Sequence, residues 1–523
     1  MMTPLFVFAG PALLGIASIV AALGRGQRPR LSLAVCEAAA MLALLIAIGA
    51  AIMLGGHGAS TAALIGDRSG LGLAVRLDIV SAAMLLLVSF IGWVVTRYAR
   101  TYLDGEARQG PFMARLAATL ACVLLLVSAG TLTQLVLAWI GTSAALHGLL
   151  LFYPDRAGAR RAARKKFLFA RLGDGALIAA ALLLVAAYGT GDIAAIAAAA
   201  RAASATGATP GTAIAAAWLI AIAALLKSAQ FPTHGWLTEM METPTPVSAL
   251  LHAGVINAGG FLLIRLADIL PAAPAAMAML VMIGGFTALF GSLVMVTQPA
   301  AKTSLAWSTV AQMGFMTMQC GLGLFGLALL HVVAHSHYKA HTFLAAGDAV
   351  ERIAAARRPG PVAVPDMRAI GLSFLSAMII YLAVGLAFGL WHKPPQAIVL
   401  GAVLIFGVAY LIAQGLSAAA PRALMERTTI AAILTATAYF ALHGATAWVT
   451  AGTLPPTPAA GPLEWVLMAA VVLSFGGIAL AQAMLPLWGD HPAAQGLRVH
   501  LANGLYVNTL VDRAIGGWRI ERV

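Results

Sequence analysis

The stretch that decides the fold is GTAIAAAWLIAIAALLKSAQFPTHGWLTEMMETPTPVSALLHAG, residues 211–254. Sixteen apolar residues, 211–226, lead into Lys227, and Pro232 follows five residues later. An unpaired ammonium in hydrocarbon costs about 2.5 kcal/mol or more, so a lysine at this depth marks a functional position, or else snorkels to the headgroups. Pro232 removes a backbone donor and frees a carbonyl one turn back, which a membrane span tolerates where its backbone lines a polar cavity or is packed by neighbours. A broken helix carrying a lysine is therefore predicted at 211–232. The segment 232–246 reads as a cytoplasmic turn bearing His234, Glu239 and Glu242, and His252 enters the next span about two turns further on.

Outward from this stretch the chain keeps the same character. Of its 523 residues 61% are hydrophobic and 10% charged, and its apolar runs repeatedly exceed the ~18–20 residues needed to cross a bilayer. A soluble globule is excluded, and a barrel would show alternating ten-residue strands instead of continuous runs rich in Ala, Leu and Gly. Fifteen spans are expected, centred near residues 14, 43, 87, 121, 143, 180, 221, 256, 285, 312, 336, 380, 408, 440 and 475. The first is read as a retained helix, since no small-residue cleavage site follows it before Arg25.

With the N-terminus outside, the loops 25–30, 97–115, 154–171, 297–302, 348–368 and 420–428 and the tail from 488 share one side and hold 25 of the 32 Lys and Arg. That asymmetry predicts a cytoplasmic C-terminus, with the N-terminus on the opposite side of the membrane. It also explains the net charge of +13 without nucleic acid, because the basic residues are scattered over separate loops with no aromatic platform between them. Cys36, Cys122 and Cys320 sit singly in different spans, with neither zinc nor disulfide spacing.

The second polar cluster is HVVAHSHYKAH, residues 331–341. His331, His335 and Lys339 recur every four residues, drift only ~80° around a helix and form one polar stripe. His337 and His341 form a second pair on roughly the opposite face. Histidine's unperturbed pKa suits proton relay, and metal binding by the paired histidines is the rival reading, weakened by the absence of a carboxylate or thiol on the stripe. Asp174, one turn after Arg171, can reach Lys227 on a neighbouring helix or pair with Arg171. His147 in AWIGTSAALHG is a further relay candidate.

The block KSAQFPTHGWLTEMMETPTPVSALLHAG, the RLGD at 171–174, KTSLAWSTVAQMGF at 302–315 and HVVAHSHYKAHTFLAAGD together resemble the proton-translocating antiporter-type family, which includes subunit L of NADH-quinone oxidoreductase and the Mrp cation/proton antiporters. The resemblance implies an all-α polytopic fold with two inverted five-helix repeats and at least one broken helix. It places Lys227 and His252 in one half-channel and His331, His335 and Lys339 between the halves. The chain departs from the family in three places. Ile140 stands where the family has an acid after a tryptophan, residues 371–391 lack the second repeat's lysine with Lys393 only at their outer end, and the tail of about 36 residues, ~54 Å if fully helical, falls short of a long lateral helix.

Those departures, with LHGLLLFYPDR and RVHLANGLYVNTLVDR, resemble the membrane subunits (DabB) of the DAB inorganic-carbon accumulation systems. This branch implies a chain that conducts H⁺ or Na⁺ and carries no cofactor, with zinc and CO₂ hydration residing on a large soluble partner, DabA. A pump subunit of NADH-quinone oxidoreductase or an Mrp-type antiporter is the alternative. The expected organisation is N-terminal helices over 1–110, an antiporter-like core over 111–420, further spans over 421–487 and a cytoplasmic amphipathic tail over 488–523.

Overall fold

The computed structural model describes residues 3–24, 26–66, 70–346, 367–415 and 422–516. Two helices, α1 (Ala9–Leu23) and α2 (Arg30–His57), precede an antiparallel hairpin of β1 (Ser60–Gly66) and β2 (Gly72–Leu77), an addition to the helical architecture expected from the sequence. Then follow α3 (Ile79–Tyr102), α4 (Gln109–Val127), α5 (Leu132–Leu150), α6 (Ala157–Tyr188), α7 (Ile193–Thr206) and α8 (Gly211–Lys227). The break after Lys227 contains the short α9 (Gly235–Thr238), and the next span is itself divided into α10 (Thr245–Ala253) and α11 (Ala258–Arg265). The second half comprises α12 (Pro274–Met295), α13 (Ala301–Gly321), α14 (Phe325–Leu344), α15 (Met367–Ala387), α16 (Pro395–Gly415), α17 (Arg422–Thr450) and α18 (Pro462–Ala483). A tail of α19 (Leu485–Trp488), α20 (Pro492–Ala502) and α21 (Val507–Ala514) completes the described chain.

Every expected centre lies in a helical segment. By length and hydropathy, eleven helices among the described residues can cross a membrane, or twelve if α7 and α8, bent by 119°, form one span. The helices α13, α14 and α16 fall outside that set, the first two because they carry polar residues and the third because its apolar stretch is short, so length and hydropathy alone do not reach fifteen. Where α12 and α13 cross, only glycine fits. A Cβ on Gly284 would stand 2.6 Å from the Met318 amide nitrogen, and one on Gly314 would stand 2.5 Å from that of Ala288. Small residues of this kind let membrane helices pack backbone to backbone.

The loop expected at 154–171 is helical from Ala157 onward, so its basic residues sit on the first turns of α6. Lys165 is fully buried there. Its Nζ donates to both carboxylate oxygens of Glu239, at 2.7 and 2.8 Å, and lies 2.8 Å from Asp512 of α21. The tail therefore folds back over the chain's own turn at 235–242. Gln298 also donates to the Ala502 carbonyl at 3.2 Å, and Gly504 sits against Trp307. Part of the surface of this amphipathic tail is committed within the chain, while Leu497, Val499 and Leu510 remain exposed.

A second buried ionic cluster ties the first repeat to the hairpin. Asp78 caps α3 by accepting from the Ser81 amide and receives Arg265 at 2.7 Å, while Arg76 of β2 stands 2.8 Å away. Burial alone would raise the Asp78 carboxyl, but Arg265 and Arg76 hold it well below the usual carboxylate range. Removing one partner of such a pair leaves an uncompensated buried charge. Arg265→Ala is expected to cost about 3–5 kcal/mol, read as a fall in melting temperature of the detergent-solubilised protein. A change under about 1 kcal/mol would show that the cluster is hydrated and dispensable.

Candidate functional site

Helix α8 ends on Lys227 because the backbone turns there. Ala229 adopts φ 51°, a left-handed conformation that costs a non-glycine residue about 1–2 kcal/mol and is held by complete burial. The Gln230 amide nitrogen still reaches the Leu225 carbonyl at 3.4 Å, and the Phe231 amide nitrogen donates to Thr287 Oγ1 at 3.1 Å. Pro232 has no donor to satisfy. Gly259 of α11 passes so close that a Cβ there would lie 2.1 Å from Ser228 Oγ and 2.5 Å from the Ala224 carbonyl oxygen. The break is thus clamped between α11 and α12.

Lys227 is buried, and its Nζ has no hydrogen-bond partner. It stands 4.3 Å from the centre of the Trp139 ring, a cation–π arrangement of the kind that replaces part of a lost hydration shell. Neighbouring Ile140 is packed among apolar side chains. Asp174 does not contact Lys227: its Oδ2 lies 2.5 Å from Arg171 Nη2, so of the two pairings open in the sequence the structure takes the one with Arg171. Asp174 remains within electrostatic reach of Lys227. Lys227 also shares a cavity of about 20 Å³ with Lys166, whose Nζ donates to the Ser143 carbonyl oxygen at 2.5 Å and to Ser143 Oγ at 2.9 Å. His147, half-buried, rests on Phe167 with its Nδ1 unpartnered.

The second cluster lies on α14 and meets α10 and α13. His331 Nδ1 bonds Gln319 Oε1 at 2.9 Å, and the His331 and His335 rings are 5.9 Å apart. His335 in turn meets the backbone of His252. His252 bonds Thr309 Oγ1 through Nδ1 at 3.0 Å and stacks on Phe343 at 4.5 Å, and Lys339 Nζ donates to the Leu305 carbonyl at 3.1 Å. In His252, His331 and His335 alike, Nε2 is buried with no partner. His252 and His331 are each fixed through Nδ1 and left open at Nε2, the arrangement a proton relay needs, while His335, open at Nε2 as well, rests beside the His331 ring.

The remaining singled-out residues lie off this row. His337 and His341 are exposed, and His337 donates back to the Val333 carbonyl and stacks on Phe90. Glu242 pairs at the surface with Arg156, and Glu239 is held by Lys165, while burial raises its carboxyl. His234 is fully buried in an aromatic cage of Phe231, Phe290 and Trp307. No three His, Cys, Asp or Glu side chains converge as metal ligands among the described residues.

Residues 129–420 match the family model described as NADH:quinone oxidoreductase/Mrp antiporter, TM, and residues 66–113 match that of the complex I chain 5 N-terminus. The chain is 38% identical over 525 residues to the probable inorganic carbon transporter subunit DabB2 of Halothiobacillus neapolitanus, spanning 98% of this chain and 93% of that one. The chain belongs to the DabB family of antiporter-type membrane subunits. It is also 45% identical over 272 residues, about half of each chain, to the probable inorganic carbon transporter subunit DabB of Hydrogenovibrio crunogenus. Among solved structures, a chain of the Mrp complex from Dietzia sp. DQ12-45-1b matches with TM-score 0.65 at 24% identity, covering 99% of this chain and 60% of that one. A chain of Thermus thermophilus respiratory complex I matches with TM-score 0.55 at 19% identity, covering 96% of this chain and 99% of that one. These two likenesses concern the fold.

Against the antiporter-type pattern, this DabB-family chain lacks the acid beside Trp139, and α15 runs unbroken from Met367 to Ala387 without a lysine. In that half the structure buries His443 of α17, whose Nδ1 has no partner, beside an outer cavity of about 650 Å³ shared with His392 and Lys393. Sequence reasoning missed two residues. His443 was legible as a lone histidine in an apolar span, whereas Lys166 shares a helix face with Ala170 and Asp174 but stands within a basic run that masks it.

Burial, and secondly the charge of Lys165, push the His234 imidazole down to about 4, so it is neutral near pH 7. An unfolded histidine titrates near 6.5, so the unfolded chain takes up a proton that the aromatic cage refuses. The contribution of this site to stability is therefore complete above about pH 6.5 and is lost as pH falls towards about 4. In His234→Phe the melting temperature should fall less between about pH 7 and about pH 5 than in the wild type. Equal falls would place the acid sensitivity elsewhere.

Proposed function

We propose that this chain conducts protons across the bacterial inner membrane and, with N-terminus periplasmic and C-terminus cytoplasmic, passes the energy of the protonmotive force to a soluble zinc-bearing partner of the DabA type. There CO₂ is hydrated in one direction to bicarbonate, which accumulates in the cell. The observation that carries this reading is the group of His252, His331 and His335, the first two held through Nδ1 and all three unpartnered at a buried Nε2, together with the buried amines of Lys227 and Lys339. Lysine and histidine nitrogens exchange protons, whereas Na⁺ is a hard cation that calls for several oxygen ligands, and the carboxylate of this region, Asp174, is taken by Arg171. The relatives' names supply the inorganic-carbon context. Ile140 and the lysine-free α15 favour it over a respiratory pump or a two-ion antiporter, since both would use the stations missing here.

The test is bicarbonate accumulation by cells expressing the complex, with and without an uncoupler. Collapse of the proton gradient is expected to abolish accumulation, and undiminished uptake would refute the reading. Lys227→Ala and His335→Ala should each lower uptake by about 100-fold or more while the complex still assembles, as removing a proton carrier does. Normal uptake in both would leave the chain a scaffold.

A further inference from the structure

We infer that Lys166 takes the place of the missing acid as the inward-side proton partner of Lys227, the two amines exchanging one proton through a single water. This inference rests on the proton-conducting reading above and adds a station to it. Both side chains line the cavity of about 20 Å³ bounded also by Trp236 and Val255, and about 10–15 Å³ is enough for one water. The two amines are held differently. Two oxygens of Ser143 anchor Lys166 Nζ, whereas Lys227 Nζ has only the face of Trp139 and the cavity.

Electrostatics limits the pair to one excess proton. Two ammonium groups in a low-dielectric pocket repel strongly, and among the described residues no carboxylate touches either of them. The charged and titratable groups facing Lys166 are Arg171 and Asp174 on its own helix, Lys227 from α8 and His147 from α5. Asp174 is bound to Arg171 and offsets it, so the local balance leaves room for one cation shared between two amines. A proton leaves the Lys227 ammonium for the water as the water passes one of its own to the neutral Lys166 amine. Lys227 ends neutral, Lys166 ends charged and the water is regenerated. Lys166 lies about two turns nearer the cytoplasmic start of α6 than Asp174, and half-buried His147, with Nδ1 open, leads from it towards the surface.

The first arm of the test is proton flux into liposomes holding the intact complex, followed by an entrapped pH dye. Lys166→Gln and Lys166→Arg are both expected to lower flux by about 100-fold, although arginine keeps the charge and can still bond Ser143, because its guanidinium does not release a proton. Lys166→His should restore part of it. Wild-type flux in Lys166→Arg would make Lys166 a fixed positioning charge and overturn the proposal, as would wild-type flux in Lys166→Gln. The second arm needs no conduction. The chain has six lysines, so NMR of protein labelled with ¹³Cε-lysine can follow each one's protonation. Lys166 and Lys227 should titrate as one coupled pair in two steps, and in Lys166→Gln Lys227 should titrate in a single step at higher pH. Two independent titrations, or two permanently charged amines balanced by a bound anion, would overturn the sharing. Coupled titration in a wild type that carries no proton flux would instead leave the pair standing and sink the conducting function.

Discussion

The structure depends on the cost of keeping ammonium groups away from water where carboxylates are almost absent. Lys166, Lys227 and Lys339 are all buried, and among the described residues none of them has a carboxylate in contact. Each is met by weaker partners: two oxygens of one serine, the face of a tryptophan, a single carbonyl. Such partners stabilise a cation less firmly than a fully paired ionic bond would, so that loss of its proton breaks no salt bridge. The backbone break after Lys227 serves the same constraint, since a helix that stops there frees carbonyls that an unbroken helix would pair.

The chain uses its strong ionic bonds elsewhere. Asp78 with Arg76 and Arg265, and Lys165 with Glu239 and Asp512, are dense and closely bonded, and they lie at the two ends of the helical core. Away from them His252 and His331 are held by single hydrogen bonds and ring stacking. Rigid ends around a loosely paired interior form a frame in which protonation can change locally without the helices moving apart.

Much of this was legible in the sequence wherever a polar residue interrupted an apolar run. Lys227, His252, His331, His335 and Lys339 stand out because burial makes them costly, and the four-residue spacing of the last three settles their common face. Lys166 was hidden for the opposite reason. It sits among Arg160, Arg161, Arg164 and Lys165, and a basic run before an apolar segment reads as a solvated loop until the first turns of α6 are seen to be buried against α5. The choice between Arg171 and Lys227 as the partner of Asp174 was undecidable from spacing, because one is local and the other depends on how α6 and α8 cross. The fold-back of the tail was equally invisible, since its decisive contact joins Asp512 to Lys165 across most of the chain.

That last contact has a bearing on how the protein is made. Synthesis proceeds from the N-terminus, so Lys165 enters its place on α6 long before Asp512 exists. Until then Glu239 is its carboxylate partner, so the buried ammonium first shares one carboxylate where the folded protein gives it two. The order of synthesis thus fixes the order in which the two acids arrive, and the turn at 235–242 is made long before the segment that covers it.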